Sequence, residues 1–473
     1  MKKTRENNDS GTCRIAAGLA FLTTFTFFQF VYPYHLARLE QQTLFVFDRE
    51  YIRQTYRGTG WLGNFAGDFL EQFFHLPVVA PLIMALLLTV IGAVVYLIFR
   101  KFLGRWPSLA IAAVFFLWSF MRETGNLFIT RYTVVTLGYL SLVLLALQFR
   151  KAWARVAGAV LLLAIGAWAL GSPYHKYYGK LWGSPKFKYE RVIGLDIETA
   201  RENWDRVLKL SEKDLYMVEA SYCYDLAHAM KGDLGDCLLG HSQGGPNGLL
   251  LQVSTSYTEF TNCLAGEAWF HLGDMTVAEQ SAIIALQGSP KHTGTRFLVR
   301  LARINLISGE DAAAMKYLNL LARTLFYGKW ARSMMPANQD EATRARIAEA
   351  RSNLIREDLV HHSNVPRTIL LSLLDVNPGN TLARNYLLCF DLMCYDMPRF
   401  IEDYTPEMID ARLYKEAVLV WLGQSNSISV GNAAEYGVDA ATVNRLDRFY
   451  RNPELYRDTY WYYYADALYR SNQ

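Results

Sequence analysis

Five apolar segments without a charged side chain lie within the first 174 residues, and they constrain the fold more than any motif does. Four of them are about 18–24 residues long, enough to cross a hydrocarbon layer of ~30 Å as helices. These four are Ile15–Tyr34, Leu76–Phe99, Tyr132–Phe149 and Val156–Tyr174. The fifth, Pro107–Met121, is shorter and is expected to form a thin span or one arm of a re-entrant hairpin.

The sequence therefore predicts an all-α protein in two parts. A polytopic bundle of about five transmembrane helices over residues 1–175, with an external loop at 35–75, precedes a soluble helical domain over 189–473. Apolar residues make up 52% of the chain and charged residues 19%, and the apolar excess lies in the N-terminal third. The net charge of +4 is too small and too scattered for nucleic-acid binding, so no such partner is expected.

Lysine and arginine in the loops indicate the orientation of the spans. The N-terminal tail and the loops 100–105 and 150–155 are basic, and neither loop contains an acid. Short basic loops stay in the cytoplasm, which predicts a bacterial inner-membrane protein with a cytoplasmic N-terminus and a periplasmic C-terminal domain. No small-residue cleavage site follows the first segment, so it is expected to be an uncleaved span. If Pro107–Met121 does not cross, the C-terminal domain is instead cytoplasmic.

The external loop contains the candidate chemistry of the membrane domain. On one helix, Glu40 and Asp48 would lie two turns apart and on roughly the same face. The loop resembles that of membrane glycosyltransferases with polyprenyl-linked donors, which implies that Glu40 or Asp48 is a catalytic acid. Gln41, Trp61 and Gln72 are possible binding residues. The alternative is an amphipathic helix at the membrane surface, with lipid as its partner.

Helical patterns continue through the C-terminal part, and one pair carries a repeat signature. The predicted helices Ser256–Leu272 and Thr276–Leu286 place small and aromatic residues at spacings that resemble a tetratricopeptide unit. These residues are Gly266, Trp269, Ala278, Ala282, Ala285 and Pro290. Small residues let two helices approach closely, which predicts a helical-repeat solenoid that holds another polypeptide. An irregular all-α domain is the alternative.

Other motifs point to no cofactor and no metal. Gly240–Gly245 fits the G-x-S-x-G nucleophile elbow, but no strand precedes it and Pro246 interrupts the required helix, so a loop is expected. His361 and His362 are adjacent and would point about 100° apart on a helix, which makes a poor metal site. The six cysteines form no C-x-x-C pair and are expected to be free thiols, with one disulfide as the alternative.

Consecutive aromatic residues, Tyr460–Tyr464, lie near the end of the chain. They cover all sides of a helix, so the segment is expected to form a capping helix wedged into the last repeat. A ligand contact or a membrane-surface contact is the alternative.

Several short runs resemble an uncharacterised inner-membrane family of Bacteroidota. In the external loop these are Glu40-Gln41, Phe45, Tyr51, Gly58-x-Gly60 and Phe69-x-x-Gln72-Phe73-Phe74. Further along they are Gly245-Pro246-x-x-Leu249-Leu250-Leu251 and Asn380-x-Leu382-Ala383-x-x-Tyr386-Leu387. The resemblance implies an envelope location and a helical-repeat region, and it implies no particular chemistry.

Two hypotheses of function follow. The first is a non-enzymatic inner-membrane protein whose external helical-repeat domain scaffolds or binds another envelope protein. The second is a membrane-embedded transferase that acts on a lipid-linked substrate through Glu40 or Asp48. Transport is disfavoured, because no predicted span contains an ionisable residue that would line a pathway.

Overall fold

The computed structural model describes residues 2–57, 61–125, 130–149, 151–170, 183–241, 243–356 and 365–471. Within these ranges the regular secondary structure is entirely helical, without a strand, which confirms the all-α prediction. Two compact units are present. The first contains Met1–Ile193, Ser289–Arg296 and Leu318–Arg332, and the second contains Gly194–Gly288, Phe297–Tyr317 and Ser333–Gln473. The pair His361 and His362 lies outside the described residues.

Eight α-helices are present in the described residues of the N-terminal part of the first unit. They are α1 Lys2–Thr26, α2 Pro33–Gln42, α3 Arg49–Thr55, α4 Trp61–Glu71, α5 Val79–Arg100, α6 Arg105–Glu123, α7 Thr130–Ala146 and α8 Ala152–Leu170. A π-helical turn, Phe27–Val31, extends α1, and a 3₁₀ turn, Gln72–His75, follows α4. Each predicted apolar segment coincides mainly with one α-helix, namely α1, α5, α6, α7 or α8, and Ile15–Tyr34 also includes the π-helical turn and the start of α2.

Among the residues that the structure describes, two helices are long and apolar enough to cross a membrane, Gly11–Val31 and Val79–Arg100. Crossing by α6, α7 and α8 stays a prediction. Because α5 packs against α1, α6 and α7, it forms the centre of this helical group. Met84 and Leu88 of α5 are fully buried there.

Contacts between helix ends show that the apolar helices of this unit alternate in direction. The Tyr32 hydroxyl, just after α1, donates to the carbonyl oxygen of Thr124 at the end of α6 at 3.2 Å. At the opposite end, the Lys101 ammonium after α5 donates to the carbonyl oxygen of Leu147 after α7 at 2.9 Å. The end of α6 therefore lies beside the end of α1, and the ends of α5 and α7 lie together.

The second unit is built from shorter helices. Their bounds are Trp204–Ser211, Val218–Lys231, Leu234–Cys237, Pro246–Leu249, Glu259–Ala265, Glu267–Leu272, Met275–Gly288, Thr295–Ser308, Asp311–Leu321, Gly328–Met334, Glu341–Ser352, Pro366–Val376, Thr381–Met393, Met397–Asp403, Arg412–Gln424, Val430–Glu435, Ala440–Arg451 and Tyr460–Ser471. Phe187–Ala200 precedes them, and parts of Thr295–Ser308, Asp311–Leu321 and Gly328–Met334 belong to the first unit. Fully buried tyrosines, Tyr222, Tyr386 and Tyr414, lie in its core.

The helix predicted over Ser256–Leu272 is instead two helices that meet at Gly266. The backbone N–H of Ala268 donates to the Tyr222 hydroxyl at 2.9 Å, so a buried side chain satisfies a donor at the break. A Cβ at Gly266 would lie 2.3 Å from Ser281 Oγ, so only glycine permits this close approach of the break to the helix Met275–Gly288. The close packing expected from the small residues is therefore present, while the tetratricopeptide assignment stays a prediction.

Candidate functional site

Glu40 lies on α2 and is almost fully buried. The Tyr327 hydroxyl donates to its Oε2 at 3.1 Å, and His75 Nδ1 lies 3.8 Å from its Oε1. These contacts all belong to the first unit. They hold the carboxylate in one place and leave little of it open to a ligand.

Asp48 occupies a different local structure. Residues 43–48 are not helical, and Asp48 is the N-cap of α3, where its Oδ1 accepts from the backbone N–H groups of Glu50 and Tyr51 at 3.0 and 3.1 Å. The expectation that one helix carries Glu40 and Asp48 is therefore wrong, because the chain leaves α2 at Gln42. A capping bond of this kind stabilises a helix start by about 1 kcal/mol. The catalytic assignment of either acid stays a prediction.

The possible binding residues of the loop are not gathered at one point. The carbonyl oxygen of Gln41 accepts from the Thr295 hydroxyl at 3.3 Å. The amide of Gln72 donates to the carbonyl oxygen of Phe69 at 3.3 Å. Trp61 is 48% exposed at the start of α4. Their binding role stays a prediction.

A buried charge cluster surrounds Asp68 on α4. The Tyr56 hydroxyl donates to Asp68 Oδ2 at 2.8 Å, and the Lys291 ammonium forms an ion pair with the same oxygen. Arg131 Nη2 lies 3.7 Å from Asp68 Oδ1. Two cations therefore face a single buried carboxylate within the first unit.

Glu71 lies one turn further along α4 and is fully buried. Burial, and then the negative charge of Asp68, raise its pKa to about 8, while Arg131 and Lys291 act in the opposite direction. Burial therefore favours the protonated form of Glu71 in the folded protein. Perturbed carboxyls of this kind cluster at functional sites, and they also occur in structural ion-pair networks.

An open cleft in the second unit is the main candidate binding site. Its volume is about 620 Å³, within the usual range for ligand pockets. Aromatic and charged side chains share its lining: Tyr395, Tyr462, Tyr463, His241, Arg457 and Arg470, with Asp458 and Asp466. The C-terminal helix Tyr460–Ser471 supplies one wall, and the loop after Cys237 supplies another.

Tyr395 at the cleft has a backbone conformation that disfavours its own side chain. It follows the helix Thr381–Met393 with φ +59°, in the left-handed region. The N–H of Asp396 bonds to the carbonyl oxygen of Asp391 at 3.0 Å, the helix-ending pattern in which this position is usually glycine. The phenol ring instead stacks on Tyr463, with ring centroids 5.2 Å apart. A tyrosine ring therefore lines the cleft at a position whose backbone conformation glycine would adopt with less strain.

Comparison with known families places the chain in one of them. The model of a family of unknown function, DUF6057, matches residues 11–177 and 173–467. The chain belongs to this family. No curated protein and no solved structure matches it. The DUF6057 match covers the apolar helices and the cleft alike, while the Bacteroidota origin and the repeats stay predictions.

In this DUF6057 chain the G-x-S-x-G motif lies on a loop at the cleft, as expected, although Ser242 itself lies outside the described residues. His241 Nε2 contacts Ser221 Oγ at 2.8 Å and lies 3.8 Å from Asp225 Oδ1. Burial lowers the pKa of His241 to about 4 and raises that of Asp225 well above its usual range. Since one imidazole nitrogen faces both groups, the arrangement differs from a catalytic triad, which needs both ring nitrogens.

The sequence of this DUF6057 chain predicted neither the cleft nor the side chains that contact Asp68. Lys291 is 223 residues from Asp68, a separation that no local pattern reveals. One signal was available, since Asp68 and Glu71 lie three residues apart on α4. Like charges at that spacing repel each other, so their presence beside apolar segments predicts cations supplied from elsewhere.

Proposed function

We propose that this protein is a membrane-embedded binding protein of the bacterial envelope. Five helices cross the inner membrane, and the helical second unit lies on the periplasmic side. Its cleft holds a polypeptide segment of another envelope protein. The binding role is supported by the open cleft, which is lined by aromatic and charged side chains. The topology is supported by hydrogen bonds between segments that are distant in the sequence.

The contacts support an even number of crossings between α1 and the C-terminal part. Tyr32 and Tyr34 follow α1, whereas Lys186 and Glu190 follow α8. The backbone N–H of Lys186 donates to the Tyr32 hydroxyl at 3.1 Å, and the backbone N–H of Tyr34 donates to Glu190 Oε1 at 2.6 Å. These contacts support a location of both positions on one side of the membrane. If α5 crosses, an odd number of the helices α6, α7 and α8 must cross as well, and five spans satisfy this requirement.

We expect a reporter that is active only in the periplasm to give a signal when fused after Gln473. The basic loops 100–105 and 150–155 support this orientation because translocating them is costly. The same reporter at Lys101, in a truncated chain, is expected to be silent. A silent fusion after Gln473 with a signal at Lys101 would contradict the orientation.

The composition of the cleft supports a polypeptide as its occupant. Tyrosine and arginine are the residue types that dominate binding energy at protein interfaces. Arg470 is held by Asp466 at 2.7 Å, and Arg457 forms an ion pair with Glu454. The charges of the lining are therefore largely balanced by neighbouring acids. A mixed surface of aromatic faces and fixed hydrogen-bond groups suits the side chains and backbone of an extended segment.

We expect Tyr395→Gly to lower recovery of the partner by at least about tenfold, as loss of an interface hot spot does. The backbone at this position favours glycine, so the substitution should leave the fold intact and change the free energy of unfolding by about 1 kcal/mol or less. The measurement is quantitative mass spectrometry of proteins that co-purify with the full chain after cross-linking in native membranes.

Tyr450→Ala provides the matched control, because Tyr450 is exposed and does not line the cleft. A protein recovered with the wild type and with Tyr450→Ala, but lost with Tyr395→Gly, would support the proposal. Equal recovery of every protein with Tyr395→Gly and with the wild type would contradict it.

A further inference from the structure

Three side chains of different chemistry converge beside the loop that forms one wall of the cleft. They are His228, Asp233 and Cys237, each partly exposed, and one ligand atom of each lies within 4.8 Å of the other two. His228 Nδ1 lies 2.9 Å from Asp233 Oδ1. One nitrogen, one oxygen and one sulfur ligand atom therefore lie close together at a solvent-accessible position.

The local fold fixes this arrangement. The helix Val218–Lys231 ends at Gly232, whose φ of +86° lets the chain reverse. Asp233 follows directly, and its N–H bonds to the carbonyl oxygen of His228 at 3.1 Å. The N–H of Cys237 bonds to the carbonyl oxygen of Asp233 at 3.2 Å. Backbone hydrogen bonds thus set the spacing of all three ligands.

We propose that His228, Asp233 and Cys237 bind a transition-metal ion of intermediate softness, with Zn²⁺ as the first candidate. Zn²⁺ prefers thiolate, imidazole and carboxylate ligands in a tetrahedron. Three protein ligands leave the fourth position to water. The ion takes the place of the hydrogen bond between His228 Nδ1 and Asp233, with the imidazole proton on Nε2, and it displaces the thiol proton of Cys237, which is released to solvent.

The surrounding charges favour a cation. Two acids, Asp233 and Asp236, lie near Cys237, and Arg412 is a cation near the same thiol. Arg412 is engaged elsewhere, since its Nη1 donates to Asp458 Oδ2 at 2.7 Å. A bound dication is attracted by these acids and stabilises the thiolate. It would also fix the start of the segment that leads to Leu239, Gly240 and His241 in the cleft wall.

The test is a titration of the full chain, purified in detergent and freed of metal, with Co²⁺ as the spectroscopic probe. A thiolate-to-cobalt charge-transfer band that saturates at about one Co²⁺ per chain is expected, as for a single site with one cysteine ligand. Added Zn²⁺ should abolish the band. Cys237→Ser should remove the band entirely, and His228→Gln should weaken binding by at least about tenfold.

Cys394→Ser is the matched control, because Cys394 is an exposed cysteine of the same unit outside the trio. The band should be unchanged in this variant. Absence of a saturable band in the wild type would overturn the proposal, and so would a band that survives in Cys237→Ser. Either result leaves the binding role of the cleft unaffected, since that role depends on Tyr395.

Discussion

Replacement of Arg300 by methionine should lower the free energy of unfolding of the second unit by about 3–5 kcal/mol, the usual cost of removing one partner of a buried ion pair. Arg300 and Glu267 are both almost fully buried, and Arg300 Nη2 forms an ion pair with Glu267 Oε2. The guanidinium also lies over the ring of Phe270, 3.8 Å from its centroid. Without Arg300, Glu267 must stay buried as an uncompensated charge or take up a proton.

The measurement is urea unfolding of the detergent-solubilised protein, followed by tryptophan fluorescence. In the double variant Glu267→Gln with Arg300→Met, most of the lost stability should return, because neither partner is then charged. Arg303→Met is the control: Arg303 is more exposed, and its ion pair with Glu202 at 3.3 Å should contribute at most about 1 kcal/mol. Equal effects of Arg300→Met and Arg303→Met would contradict the argument.

The sequence predicted helix content and apolar segments well, because both depend on local patterns. Each of the five segments coincides mainly with one helix, as its apolar length without a charged residue predicted. Helix ends were less accessible to prediction. The break at Gly266 depends on a hydrogen bond from Ala268 to Tyr222, 46 residues away in the chain. The separation of Glu40 from Asp48 depends on where α2 ends.

The candidate sites were hardest to predict, because their parts come from distant segments. Lys291 and Arg131 reach Asp68 only in the folded chain. The cleft combines His241 with Tyr395 and Tyr463 from separate helices and loops. Motif reasoning did find the G-x-S-x-G loop and correctly expected a loop there. The aromatic run Tyr460–Tyr464 was also found, with a ligand contact as the alternative, but its position opposite this loop could not be predicted.

Replacement of Glu71 by glutamine should stabilise the first unit, and more so as the pH rises. The pKa of Glu71 is raised from 4.5 to about 8 in the folded protein. Between these values the folded state holds a proton that the unfolded state has lost, so the wild type loses stability as pH rises through this window. Each pKa unit corresponds to about 1.4 kcal/mol. The expected gain from Glu71→Gln is therefore a few kcal/mol above about pH 8 and close to zero below about pH 4.5.

The comparison that isolates this effect is the stability difference between Glu71→Gln and the wild type, measured in detergent at about pH 5 and about pH 9. Glu50→Gln is the control, since Glu50 is an exposed carboxylate of the same unit whose Oε1 accepts from Gln54 Nε2 at 2.6 Å. Its effect should be small and similar at both pH values. If Glu71→Gln destabilised the protein equally at both, Glu71 would be ionised in the fold, held by Arg131 and Lys291. The cluster would then be a balanced set of two acids and two bases instead of one that retains a proton.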